Sequence, residues 1–255
     1  MSATIDTASS HSHQIETFAA PGKPGIDRHP RNAVVIVSGG LDSTVLAYWL
    51  HARGTQLTLL SFDYGQRHRV ELRYAGATAS ALATPHEVVD LSALGRVLRG
   101  SALTDSGVGV PDGHYTDESM RATVVPNRNA IMLDIAVALA VVTQSDAVAF
   151  GAHAGDHPIY PDCRERFATS FAQTANIANE GHLPKDFQLV APFLASTKTD
   201  IVRLGATLGV PFEQTWSCYR GGAHQCGTCG TCTERREAFH DAGVTDPTTY
   251  AVGCA

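Results

Sequence analysis

No run in this chain of 255 residues approaches the ~20 consecutive apolar residues that a membrane-spanning helix needs, which argues against a helical membrane protein. Residues 1–32 also lack the apolar core of a signal peptide. They are rich in Ser, Thr, His, Pro and Gly and balance three basic against three acidic residues, so they read as a disordered extension and not as a basic arm. An excess of positive charge is missing too. The formal net charge of −6 argues against a broad grip on nucleic acid and against stable nucleic-acid binding, leaving room only for a local basic patch. Internal repeats are absent, which removes solenoids and propellers. Without an export signal the expected location is cytoplasmic, where six cysteines serve as thiols or metal ligands and not as disulfides.

What is present points to one α/β domain with a small appendage, since 44% hydrophobic residues fill a complete core at this length. Ala33-Val34-Val35-Ile36-Val37 reads as a buried strand, Ser38-Gly39-Gly40-Leu41-Asp42-Ser43 as a tight turn, and the residues from Thr44 to Leu50 as a helix. Paired glycines let backbone N–H groups close on an anion, and a helix N-terminus adds partial positive charge. Ser38 and Ser43 add hydroxyl donors. The Gly-Lys-Ser/Thr ending of a Walker loop is missing. SGGLDS after a first strand resembles the pyrophosphate loop of the PP-loop ATP pyrophosphatases, which adenylate a substrate oxygen and release pyrophosphate.

Further strands are expected at 56–62, 86–91, 147–151 and 187–191. Helices are expected at 69–83, 129–143, 164–180 and 198–208, and residues 92–126 show no periodicity. Alternating strands and helices imply a doubly wound, mostly parallel sheet, with ligands at the carboxyl ends of the strands. The expected division is an extension over 1–32, the α/β domain over 33–212, and a metal-binding segment over 213–255.

Cys218, Cys226, Cys229 and Cys232 lie close together, the last three spaced Cys-x-x-Cys-x-x-Cys, with Gly227 and Gly230 between them for tight turns. Four thiolates around Zn²⁺ make a closed, structural site. An iron–sulfur cluster, a redox-active Cys-x-x-Cys pair, or His224 in place of one thiol are the alternatives. Cys163 and Cys254 have no metal spacing.

Phe62-Asp63-Tyr64-Gly65-Gln66-Arg67-His68, Val125-Pro126-Asn127-Arg128-Asn129 and Tyr160-Pro161-Asp162-Cys163-Arg164 join the phosphate loop and the cysteines in one set. From about Ala33 to about Phe239 the chain resembles the 7-cyano-7-deazaguanine synthases (the QueC family) of the queuosine pathway. The resemblance implies conversion of 7-carboxy-7-deazaguanine, ammonia and ATP to the 7-nitrile, with a structural zinc, Mg²⁺ accompanying ATP, and a homodimer. It implies an ATP cradle of Val37, Ser38, Gly39, Gly40, Leu41, Asp42, Ser43 and Thr44, with Asp42, Ser43 and Lys198 acting in catalysis. Arg128 would meet phosphate or the substrate carboxylate. Tyr64, Arg67, His68, Asp156, Tyr160, Asp162 and Arg164 would form the deazaguanine pocket, with Asp156 or Asp162 reading the base. Leu41, and the run 151–159 before Tyr160, depart from the usual family pattern, which leaves nitrile or amide as the end product open. A tRNA-thiolating enzyme of the same loop class is a second reading, which needs a catalytic cysteine and a basic surface; a non-enzymatic zinc-ribbon binding module is a third, which leaves the ATP loop unexplained.

Overall fold

The computed structural model describes residues 29–114 and 117–251. Residues 1–28 of the expected extension, and Cys254, lie outside the described residues. The packed chain begins before position 33. The His29 ring bonds the Arg53 carbonyl at 2.7 Å, Thr55 Oγ1 donates to the Pro30 carbonyl, and the N–H groups of Arg31 and Asn32 are both accepted by the Asp146 carboxylate.

Among the described residues five strands form one wholly parallel sheet: β1 (Asn32–Ile36), β2 (Gln56–Asp63), β3 (His86–Asp90), β4 (Ala147–Ala149) and β5 (Gln188–Val190), in the order β3-β2-β1-β4-β5. Val35 sits opposite Leu59 on one side and Ala149 on the other, so β1 is central and its residues are buried on both faces. Central parallel strands must therefore be near-continuous apolar runs, which is what made them readable.

The helices are α1 (Leu41–Ala52), α2 (Glu71–Ala81), α3 (Ser92–Val97), α4 (Asp117–Arg121), α5 (Arg128–Thr143), α6 (Glu165–Ala178), α7 (Lys198–Thr207) and α8 (Gly230–Ala242). Side chains alternate between two cores. Ala33, Val35, Leu59 and Ala149 face α1, α2, α7 and α8, whereas Val34, Leu60 and Val148 face α5 and α6. The chain leaves β1 toward β2 and β3 and later returns to place β4 on the other side of β1. That reversal opens a crevice beyond the carboxyl ends of β1 and β4.

Two features were not expected from the sequence. The aperiodic stretch 92–126 contains the short helices α3 and α4. The segment after 213 does not stand apart either: Ala238 and Phe239 of α8 join the first core, and Phe212 meets Phe239 edge-on at 4.9 Å. Arg235, fully buried, seals this junction through Asp246 at 3.1 Å, Thr215 Oγ1 at 2.7 Å and the Phe212 carbonyl at 3.1 Å. A buried guanidinium is tolerable only with its charge matched and its donors used, as here.

Candidate active site

The turn after β1 is shaped by what its glycines lack. Gly39 has φ +90°, and an added Cβ would overlap the Glu71 carbonyl oxygen and lie 2.7 Å from the Ala75 nitrogen. Gly40 is the N-cap of α1 and brings no capping side chain, so the first-turn N–H groups remain available to an anion. Inside the turn, Ser43 Oγ donates to the Gly40 carbonyl at 3.2 Å and accepts from the Ser38 N–H at 3.2 Å, while Ser38 Oγ accepts the Gly40 N–H at 3.1 Å. The two hydroxyls lie 3.3 Å apart. Gly151 backs the turn, since a Cβ there would come 3.2 Å from the Ser43 nitrogen.

Asp42 is the centre of a charged cluster. Its Oδ2 lies 3.4 Å from Lys198 Nζ and 3.8 Å from His153 Nε2, and its buried Oδ1 has no hydrogen-bond partner among the described residues. A buried carboxylate oxygen left open is costly unless a ligand meets it, and it suits a hard cation such as Mg²⁺. Lys198 opens α7, whose start is fixed by the reciprocal bonds of Thr197 and Asp200. Its ammonium also meets Glu234 Oε2 at 2.6 Å. Burial opposes the Lys198 charge, but the carboxylates of Asp42 and Glu234 outweigh it and hold the group above the ordinary lysine range. Lys198 is thus an enclosed cation and not a solvated surface lysine.

His153 and Glu234 were not singled out in the sequence. His153 Nδ1 accepts the Gly155 N–H at 3.1 Å, so Nε2 is the ring nitrogen that faces Asp42 and Asp156. Asp156 lies 3.7 Å from His153 Nε2, so it belongs to the loop cluster.

A second compartment adjoins this cluster. Val125, Arg128, Tyr160, Asp162, Arg164 and Phe167 are among the residues lining a cavity of about 570 Å³, within the size range of small-molecule sites. The segment 150–164 joins the two compartments, for the Tyr160 N–H donates to the Asp156 carbonyl at 2.9 Å. Arg128 Nη1 donates to Tyr64 Oη at 3.3 Å, and Tyr64 is buried, which pushes its hydroxyl up to about 12. Asp162 Oδ2 accepts the Asn129 N–H at the start of α5. Arg164 donates to the carbonyls of His157 and Pro158 and so braces the loop.

Arg67 and His68, expected in the pocket, are not among the cavity residues. Arg67 Nη2 donates to the carbonyls of Asp105 and Val108, both at 2.9 Å, and so anchors the aperiodic segment. His68 is buried with Glu71 Oε1 at 3.4 Å. Burial lowers the imidazole to about 3 and raises the carboxyl to about 8, so near neutral pH the pair is a contact of two neutral groups and not an ion pair. The physical reason is that the 63–68 loop turns inward under α2, with Gln66 bonding the Tyr64 N–H, the Phe62 carbonyl and Glu71.

The sulfurs of Cys218, Cys226, Cys229 and Cys232 all lie within 4.8 Å of one another and can hold a metal ion. The N–H groups of Arg220 and Cys226 point at Cys218 Sγ, and those of Thr228 and Cys229 at Cys226 Sγ. Gly227, at φ +78°, supplies the knuckle turn. Hydrogen bonds from the Cys218 and Cys232 thiols lower Cys229 toward the thiolate, and the bond to Cys229 in turn raises the Cys218 thiol.

Residues 32–243 match the family described as Queuosine biosynthesis protein QueC. A 7-cyano-7-deazaguanine synthase of Rhizobium rhizogenes is 56% identical over 217 residues, covering 85% of this chain and 91% of its own length. One of Rhizobium meliloti is 57% identical over 217 residues, with the same coverage of 85% and 91%. Among solved structures, the U34-tRNA thiolase NcsA of Methanococcus maripaludis superposes with TM-score 0.52 at 15% identity, covering 90% of this chain and 71% of its own, a likeness of fold alone. The chain belongs to the QueC family of queuosine-biosynthesis proteins.

Proposed function

We propose that this chain is an ATP-dependent ligase that converts 7-carboxy-7-deazaguanine and ammonia to 7-cyano-7-deazaguanine. Family membership supports the overall reaction, and the observation that carries the chemistry is the Asp42–Lys198 pair at the phosphate turn.

A carboxylate resists ammonia because its charge repels the nucleophile and oxide leaves poorly. Transfer of AMP from ATP to the carboxylate releases pyrophosphate; ammonia then displaces AMP and leaves the amide. A second ATP adenylates the amide oxygen, and loss of AMP with a proton gives the nitrile. The enzyme must therefore cradle pyrophosphate and hold the substrate oxygen in line with the α-phosphate. N–H groups of Gly39 and of Leu41 to Ser43, with the hydroxyls of Ser38 and Ser43, form the cradle, flanked by Val37 and Thr44; the Gly40 N–H is held by Ser38 Oγ. Lys198 offsets the charge that builds on the departing pyrophosphate. Asp42, with its open oxygen, is the residue that would hold Mg²⁺, which supplies further neutralisation of the phosphates.

The 570 Å³ cavity takes the deazaguanine in this reading. Phe167 and Tyr160 offer apolar walls to the bicycle, Asp162 accepts from its N–H edge, and Arg128 meets the carboxylate. Tyr64 backs this pocket through Arg128, and Arg67 and His68 hold the neighbouring loop. Asp156 contributes from the ATP side.

The metal is zinc in this reading. A tetrahedral ion at about 2.3 Å from each thiolate sets sulfurs about 3.8 Å apart, and Cys226 and Cys232 stand 3.9 Å apart. A cubane cluster would hold its cysteines further apart, because iron and sulfide fill the middle. A homodimer and a cytoplasmic location complete the proposal, and no described helix is long and apolar enough to cross a membrane. Among the described residues the thiolase reading finds no nucleophile: apart from the cluster, the cysteine there is Cys163, which is buried with its thiol pushed up by burial.

Incubation with ATP, ammonium and 7-carboxy-7-deazaguanine, followed by mass spectrometry, tests the proposal. The nitrile, AMP and pyrophosphate are expected; an amide as sole product, or ADP, would overturn it.

A further inference from the structure

The cysteine cluster and the phosphate turn are joined by two arms that reach opposite ends of the same turn. On one arm, the Trp216 N–H donates to the Gly39 carbonyl at 2.9 Å while the Trp216 indole N–H donates to the Cys218 carbonyl at 2.7 Å. On the other, Cys229 is the N-cap of α8, Cys232 lies in its first turn, and Glu234 follows to hold Lys198 at 2.6 Å. Lys198 then reaches Asp42 at 3.4 Å. A single residue of the metal-bearing helix thus decides how the enclosed ammonium is divided between two carboxylates.

We infer that Glu234 is a positioning residue for Lys198, through which the metal-bearing helix sets the resting geometry of the ATP turn. The inference rests on the reading of the turn as an ATP site, but not on which substrate is adenylated. The shorter Lys198–Glu234 contact keeps the ammonium drawn away from Asp42. With Glu234 neutralised, Lys198 has Asp42 as its remaining partner and closes onto it. The tightened pair then has to open whenever MgATP enters. Without the Lys198 ammonium, the charge of Glu234 has nothing to hold, and its removal takes a negative charge away from incoming phosphates.

The test is a double-mutant cycle on the metal-loaded, full-length protein, read by calorimetric titration with MgATP. Glu234→Gln is expected to weaken MgATP binding about fivefold where Lys198 is present, and to leave it unchanged or tighter in a Lys198→Met background. Metal content stays at the wild-type value in all four proteins, and Glu234→Asp restores part of the lost affinity. Equal weakening in both backgrounds would overturn the inference, because Glu234 would then act without Lys198; so would no weakening in either. Loss of metal or of folded protein in Glu234→Gln would also overturn it, making the residue part of the scaffold. A wild type that binds MgATP but turns over no 7-carboxy-7-deazaguanine would sink the substrate assignment and leave this cycle readable.

Discussion

Asp42 and Lys198 stand 3.4 Å apart across the phosphate turn, one from the first residues of α1 and the other from the first residue of α7. Two helix N-termini therefore meet over one crevice, each delivering a charged side chain where an anion and its metal would enter. Asp42→Asn retains size and removes the charge. It is expected to lower kcat/KM by at least about 100-fold, the scale of losing one preorganised electrostatic partner, while the melting temperature and metal content stay close to wild type. Steady-state assay of pyrophosphate release checks this, and an effect under threefold would remove Asp42 from the chemistry.

Replacing Cys229 with Ser should empty the metal site and cost soluble protein, since structural zinc contributes roughly 10–16 kcal/mol to such elements. Because Trp216 joins the cluster to the Gly39 carbonyl, whatever soluble fraction remains should also bind MgATP more weakly. Elemental analysis and ATP titration on the same sample read both effects. Unchanged metal content would contradict the assignment.

Asp156 and Asp162 occupy different compartments, and their amide variants should separate accordingly. Asp162→Asn is expected to weaken binding of the deazaguanine by roughly 1.5–3 kcal/mol, the range for hydrogen bonds to charged groups, with ATP affinity little changed. Asp156→Asn, beside His153 and the turn, should act on kcat or on ATP instead. The reverse pattern would exchange their roles.

The buried pair His68 and Glu71 predicts how stability varies with pH. Glu71 has its carboxyl raised from 4.5 to about 8, so the folded state holds a proton that the unfolded chain gives up. Its contribution is complete below pH 4.5 and lost as pH climbs to 8, at up to ~1.4 kcal/mol per pH unit. His68 has its ring lowered from 6.5 to about 3, so the unfolded chain binds the extra proton and stability rises with pH between those values. The two slopes oppose each other between 4.5 and 6.5, leaving a plateau, and Glu71 alone acts from 6.5 to 8. Glu71→Gln should abolish the decline above 6.5 in denaturant titrations; a decline that persists would mean that the carboxyl is not its source.

The sheet was legible because buried parallel strands are apolar on both faces, as Ala33 to Val37 are, and because every distinctive loop follows one of them. Edges were overextended: 147–151 is a strand only over Ala147–Ala149, although the Phe150 N–H still donates to the Val190 carbonyl. Helix α8 went unread because its apolar positions are few and its start is set by cysteines in a knuckle. Glu234 was invisible for a related reason. Its partner lies 36 residues away, and nothing local in Thr-Glu-Arg-Arg distinguishes it from a solvated helix face. The compartment of Asp156 depended on the 3-10 turn capped by His153, a bond pattern with no sequence period. Arg67 and His68 matched a motif, yet in the structure Arg67 bonds the Asp105 and Val108 carbonyls and His68 lies beside Glu71, contacts that leave no local trace in the sequence.

The absent side chain at Gly39 has a kinetic consequence. Backbone of the turn rests directly on backbone of α2, at the Glu71 carbonyl and the Ala75 nitrogen, with no rotatable group between them. The turn therefore has few ways to rearrange, and under the proposed function it would be in its anion-accepting shape before nucleotide arrives. Little ordering entropy is left to be spent on capture, so nucleotide should associate in a single fast phase whose rate rises linearly with its concentration.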